Sequence, residues 1–317
     1  MYPSVSVSLG VPALPHLAWL RYHPCRSGYL RAVSASDSPL RRPDRIFEGY
    51  VFDLDGTLYV GDTLLPGSAR LLAALRELER RVAFVSNNPT RTTAEYVAKL
   101  ERLGVAASEP EVVNSVVITV DWVRAQCPDA RVFAIAEAPL REALAGAGIE
   151  LSEDPREIDV VIASYDRGLE YRKLQIGFDA LWRREGTRFV ATNPDPYCPT
   201  PEGGEPDAGA VIAALEAATG RRCELHFGKP GPLMMDTVLA RLGLPPEDCV
   251  VVGDRLYTDV AAASTVGMSG ALVLTGETEL RDVQALAEEE RPDYVLGRVD
   301  QLLPEGEWSR RGWAEEP

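Results

Sequence analysis

Val51-Phe52-Asp53-Leu54-Asp55-Gly56-Thr57-Leu58 is the stretch from which the fold is read. An apolar lead-in from Tyr50 to Phe52 delivers Asp53. Residues two apart in a strand share a face, so Asp53 and Asp55 point to one side at the strand's end. Gly56 permits the tight turn that follows. Two carboxylates this close repel unless a cation or a shared proton relieves them, and a hard ion such as Mg²⁺ takes oxygen ligands. Alone, the stretch also reads as a strand ending in a solvated acidic turn.

The pattern repeats outward. Pro66 to Arg80 has helical spacing, Val82 to Val85 is the next strand, and Thr92-Thr-Ala-Glu95 is a capping box opening a helix that stops at Gly104. Val250 to Val252 is wholly apolar and runs into Gly253. Strands alternating with helices predict a parallel sheet covered on both faces, with ligands beyond the carboxyl ends of its strands. The middle reads as a second α/β unit. Its strands are 132–135, 160–163 and 188–192, and its helices are 139–147, 172–185 and 207–219. The proline- and glycine-rich loop from Asn193 to Glu205 is expected to be ordered by turns rather than by a ladder.

Three more clusters follow strands or a turn. Ser86-Asn87-Asn88 offers a hydroxyl and loop amides, which suit an anion. Gly228-Lys229-Pro230 holds a point charge suited to phosphate. Gly253-Asp254-Arg-Leu-Tyr-Thr-Asp259 places one aspartate at a strand end and a second about one turn later. Each alone is an ordinary polar turn, solvated lysine or acidic helix start. Together they combine carboxylates for a metal with a hydroxyl, amides and a lysine for phosphate, the makings of a phosphoryl-transfer site.

Composition narrows the classes. The chain has 317 residues, with 33 Lys+Arg against 48 Asp+Glu, a net charge of −15. About 150 residues per domain gives two domains. An acidic chain argues against nucleic-acid binding, and no apolar run approaches the ~20 residues of a membrane helix. The five cysteines are odd in number and scattered without a CxxC, which fits reduced thiols in a cytoplasmic protein. Residues 1–45 are basic and broken by Pro12 and Pro15, a poor secretory signal. They are expected to be a disordered extension or the product of an early start, with an organelle transit peptide as the other reading.

With DLDGT at 53–57, SNN at 86–88, GKP at 228–230 and GDRLYTD at 253–259 in that order, the chain resembles the haloacid dehalogenase superfamily. LDGTLYVGD at 54–62, FVSNNPTRT at 84–92 and ATNPD at 191–195 point to its type IIA, NagD-like nitrophenyl-phosphatase branch. The resemblance implies a doubly wound core over 46–127 and 225–303, an inserted α/β cap over 128–224, and a tail over 304–317. It implies Asp53 as nucleophile and Asp55 as acid and base. Mg²⁺ would be held by Asp53, the Asp55 carbonyl and Asp254, with Asp259 in support. Ser86, Asn87, Asn88 and Lys229 would hold the phosphate. Asn193 and Asp195 are either specificity contacts or a plain Asn-Pro-Asp turn. Dehalogenating members lack the second aspartate, so Asp55 favours phosphate-ester chemistry. The expected partner is a small phosphorylated metabolite, with a homodimer through the cap as a further option. A phosphomutase and a non-catalytic phosphate-binding module are the alternatives. A signalling receiver is disfavoured by length and by Asp55.

Overall fold

The computed structural model describes residues 40–200 and 203–314. A six-stranded sheet has the order Tyr294–Leu296, Ser269–Val273, Cys249–Gly253, Gly49–Asp53, Arg81–Ser86, Val112–Asn114, and every pairing in it is parallel. Alternation along these strands sends apolar side chains to both faces. Val51, Val85, Val113 and Val251 pack with helices Ser115–Gln126 and Pro232–Leu242, while Tyr50, Phe52, Phe84 and Val252 pack with Ser68–Glu77 and Thr93–Arg102. This is the doubly wound arrangement that unbroken apolar strands require.

The middle region forms a second sheet of five parallel strands, ordered Leu225–His226, Arg188–Ala191, Val160–Ala163, Arg131–Ile135, Glu150–Leu151. Helices Tyr171–Arg183 and Ala208–Thr219 cover one face through Ile176, Leu181, Val211 and Leu215. The other face shares one continuous apolar cluster with the core sheet, bridged by Trp122 and Phe227, whose rings lie 5.1 Å apart. The cap is therefore packed onto the core as well as tethered to it.

Four boundaries differ from the sequence expectation. Residues 1–39 lie outside the described residues, but Arg41 pairs with Val295 at the sheet edge and Arg42 stacks 4.7 Å over Trp308, so residues 40–45 belong to the core. The expected tail contains helix Glu305–Arg311, whose buried Trp308 donates to the Asp300 carbonyl at 2.8 Å. Leu225–His226 pairs with the cap sheet and not with the core. Finally, Tyr197–Thr200 and Gly203–Pro206 form an antiparallel hairpin where turns were expected. An isolated ribbon tolerates proline because half of its N–H groups face outward.

No helix among the described residues is long and apolar enough to cross a membrane.

Candidate active site

Asp53 ends its strand, Ser86 ends the next, and Asp254 follows Gly253, so three of the four clusters meet at the carboxyl edge of the core sheet. Gly56 turns the chain at φ 83°, in the left-handed region that favours glycine. Lys229 arrives from the end of the cap's edge strand. It is 2 % exposed, and its Nζ lies 2.6 Å from both Asp53 Oδ1 and Asp259 Oδ1. Burial opposes its charged form, but Asp259 and Asp53 outweigh this and hold its pKa above the ordinary lysine value.

Asp53, Asp254 and Asp259 offer carboxylate oxygens that all lie within 4.8 Å of one another. Burial raises the pKa of Asp53 most; Lys229 pulls it down, and Asp259 and Asp254 push it further up. Asp254 is likewise raised by burial and by Asp259. Asp259 is already committed, with Oδ1 to Lys229 and Oδ2 to the Arg255 N–H at 3.1 Å. Asp254 spends one oxygen on the Glu277 N–H at 2.7 Å. That leaves one oxygen of Asp254 and Oδ2 of Asp53, whose only hydrogen bond among the described residues is a long 3.4 Å one from Thr57, as hard ligands. This donor set fits Mg²⁺.

The Asp55 carboxyl opens to solvent at the mouth, but the protein around it desolvates it enough to raise its pKa against the pull of Lys99, Arg91 and Arg255. Ser86 bonds the Tyr96 hydroxyl at 2.9 Å and accepts from the Asn88 N–H at 3.2 Å. The Asn88 side chain turns away to bond Thr90.

Asn87 clamps the lysine loop. Its Oδ1 accepts from the Lys229 N–H at 2.8 Å and its Nδ2 donates to the Lys229 carbonyl at 2.9 Å. A Cβ on Gly228 would lie 2.5 Å from Asn87 Oδ1, so only glycine fits there. Nδ2 also donates to Asp195 Oδ2 of the cap at 2.8 Å. Asn87→Ala is expected to leave both buried Lys229 backbone groups unpaired and to lower the unfolding free energy by about 2–6 kcal/mol, at ~1–3 kcal/mol per orphaned group. Urea denaturation measures this. A loss under about 0.5 kcal/mol would mean that the clamp contributes nothing.

Asn193 and Asp195 are buried and turned inward. Asn193 donates to Asp195 at 3.0 Å and to Asp207 at 3.1 Å, and Asp195 faces Asn87. The turn is thereby seated on the core loop through Asn87. His226, half-buried before the lysine loop, has its pKa lowered by burial, as a packed residue would.

Tyr96 was missed in the sequence. The capping box, in which the Thr92 side chain accepts from the Glu95 N–H, sets the helix register that points it inward. A surface concavity of about 780 Å³ lies at the amino ends of the core strands beside Arg76, Arg80, Arg81 and Arg241, away from these groups. Its arginines are bonded to Glu111, Glu48 and backbone carbonyls.

Comparison with known proteins agrees with this geometry. Residues 50–150 match a haloacid dehalogenase-like hydrolase model, and residues 226–302 match a HAD-hydrolase-like model. An acid sugar phosphatase of Staphylococcus haemolyticus is 33 % identical over 259 residues, covering 82 % of this chain and 96 % of its own. The 4-nitrophenylphosphatase of Thermotoga maritima is 37 % identical, with a TM-score of 0.75 over 81 % of this chain and 96 % of its own. A glycerol phosphate phosphatase of Mycobacterium tuberculosis, solved in complex with magnesium, is 31 % identical, with a TM-score of 0.73 over 81 % of this chain and 76 % of its own. The motif order, the two parallel sheets and these likenesses agree: the chain belongs to the haloacid dehalogenase-like hydrolases, as a phosphatase of their NagD-like branch.

Proposed function

We propose that the protein hydrolyses a small phosphomonoester in two steps through Asp53, with Mg²⁺ as cofactor. The meeting of Asp53, Asp254, Asp259 and Lys229 at one strand edge carries this reading. In the first step an Asp53 oxygen attacks phosphorus, the ester P–O bond breaks, and Asp55 gives its proton to the leaving oxygen. The raised pKa of Asp55 suits a proton donor. In the second step the Asp55 carboxylate takes a proton from water. The water attacks the aspartyl-phosphate, releasing inorganic phosphate and restoring Asp53.

The Ser86 hydroxyl, the Asn87 amide and Lys229 hold the transferring oxygens, and Asp259 holds Lys229 in place. Mg²⁺ would be held by Asp53, the Asp55 carbonyl and Asp254, and when bound it neutralises charge on the phosphoryl oxygens. The relatives are named as an acid sugar phosphatase, a 4-nitrophenylphosphatase and a glycerol phosphate phosphatase, all names for enzymes of small esters, which supports a small substrate here.

Phosphate release from nitrophenyl phosphate is expected to vanish in EDTA and return with Mg²⁺. Ca²⁺ should inhibit, since its looser coordination spoils in-line geometry. Full activity in chelator would refute the metal requirement, and phosphoryl transfer without free phosphate would identify a mutase.

A further inference from the structure

The chain has 33 basic Lys+Arg residues, of which only Lys99, Lys173 and Lys229 are lysines. Lys173 pairs with Asp166 at 2.5 Å, and Lys229 pairs with Asp53 and Asp259. Lys99, on helix Thr93–Arg102, is 5 % exposed and has no carboxylate within ion-pair distance among the described residues. Its ammonium instead lies 3.7 Å from the centre of the Tyr59 ring. Tyr59 is fully buried, and its hydroxyl faces the Asp55 carboxyl without a hydrogen bond of good geometry.

Both groups lie beside Asp55. Lys99 is the strongest charge acting on that carboxyl, ahead of Arg91 and Arg255. Conversely, Asp55 is the strongest charge acting on Lys99, whose pKa burial holds below the ordinary lysine value. Arg91, at the surface near Asp55, also has no carboxylate partner among the described residues.

A buried cation and a buried hydroxyl donor without acceptors are both costly to a folded protein. The aromatic face compensates the ammonium only in part. Asp55 is the negative group acting on both, yet it makes neither an ion pair with Lys99 nor a well-aligned hydrogen bond with Tyr59.

We propose that Lys99 and the Tyr59 hydroxyl, with Arg91 at the rim, form a subsite for an anionic substituent on the leaving alcohol, a carboxylate or a second phosphoryl group. This rests on the reading of Asp55 as the group that protonates the leaving oxygen, since that places the leaving alcohol beside Lys99. The favoured substrates are then phosphorylated hydroxy acids or bisphosphates over neutral polyol phosphates.

The test compares esters that differ in that group: 2-phosphoglycerate with glycerol 2-phosphate, and fructose 1,6-bisphosphate with fructose 6-phosphate. The native enzyme should show at least about a tenfold higher kcat/KM on the anionic member of one pair, and the responding pair tells carboxylate from phosphoryl. Lys99→Met should lose about 10–100-fold on that member, mainly in KM, and under about threefold on its neutral partner and on nitrophenyl phosphate. Lys99→Arg should restore only part of the preference, and Tyr59→Phe should lower it by less than Lys99→Met does.

Calorimetric binding of the same esters to Asp53→Asn protein reads the subsite without turnover. It should show the same preference, abolished by Lys99→Met, even if the phosphatase reading failed. Two results would overturn the proposal. One is the absence of any anionic preference in both turnover and binding. The other is an equal loss on charged and neutral esters, which would tie Lys99 to Asp55 or to the fold.

Discussion

Asp53→Asn protein is expected to form no phosphoenzyme with any ester and to lose on the order of 10⁴–10⁶-fold in kcat, the scale on which a nucleophile's removal is felt. The variant should still fold. Asp53 sits among Asp254 and Asp259, and burial together with these neighbours disfavours its ionised form. An amide of the same shape removes that repulsion but keeps an oxygen facing Lys229. The melting temperature of the metal-free variant should therefore be unchanged or raised. Acid-quenched mass spectrometry during turnover is the decisive measurement. A phosphorylated Asp53→Asn chain would place the nucleophile elsewhere.

Asp55→Asn should behave differently, because it keeps the nucleophile and loses the proton donor. Nitrophenolate leaves without a proton, whereas an alkoxide does not. The variant should be only mildly impaired on nitrophenyl phosphate and far more impaired on an alkyl phosphate. General acid catalysis is worth ~10²–10⁴-fold, so the ratio of kcat/KM losses on the two esters should fall in that range. Equal losses would mean that Asp55 serves the metal or the fold, and the acid–base assignment would be wrong.

The carboxyl-edge site was legible because its groups sit where apolar strands stop. Val250 to Val252 could only be a buried strand, so Asp254 had to emerge at its end, as it does. Lys229 was legible as a residue type between glycine and proline, but its route was not. Leu225 and His226 are too short a run to show which sheet they join, and they join the cap. Where Asn193 and Asp195 point was not legible either. Which way a side chain points in a turn depends on a partner far away in sequence, here Asn87, at a separation of 108 residues. The ends of the chain were misjudged for a related reason. Arg41 and Arg42 look like a basic tail until the edge strand Tyr294–Leu296 and Trp308 are placed beneath them. Lys99 was passed over because a lysine in an amphipathic helix ordinarily reaches water.

The delivery of Lys229 by the cap's edge strand constrains how such proteins can be recombined. A splice at residue 224, where the sequence suggests one module ends, would separate Leu225–His226 from the Arg188–Ala191 strand that sets its register. The lysine's height above Asp53 would then be undefined, although every residue of the receiving core remained. A graft that exchanges one cap for another must carry the chain through Pro230, together with a turn able to meet Asn87. The cap and the lysine that reaches Asp53 are therefore inherited as a single piece.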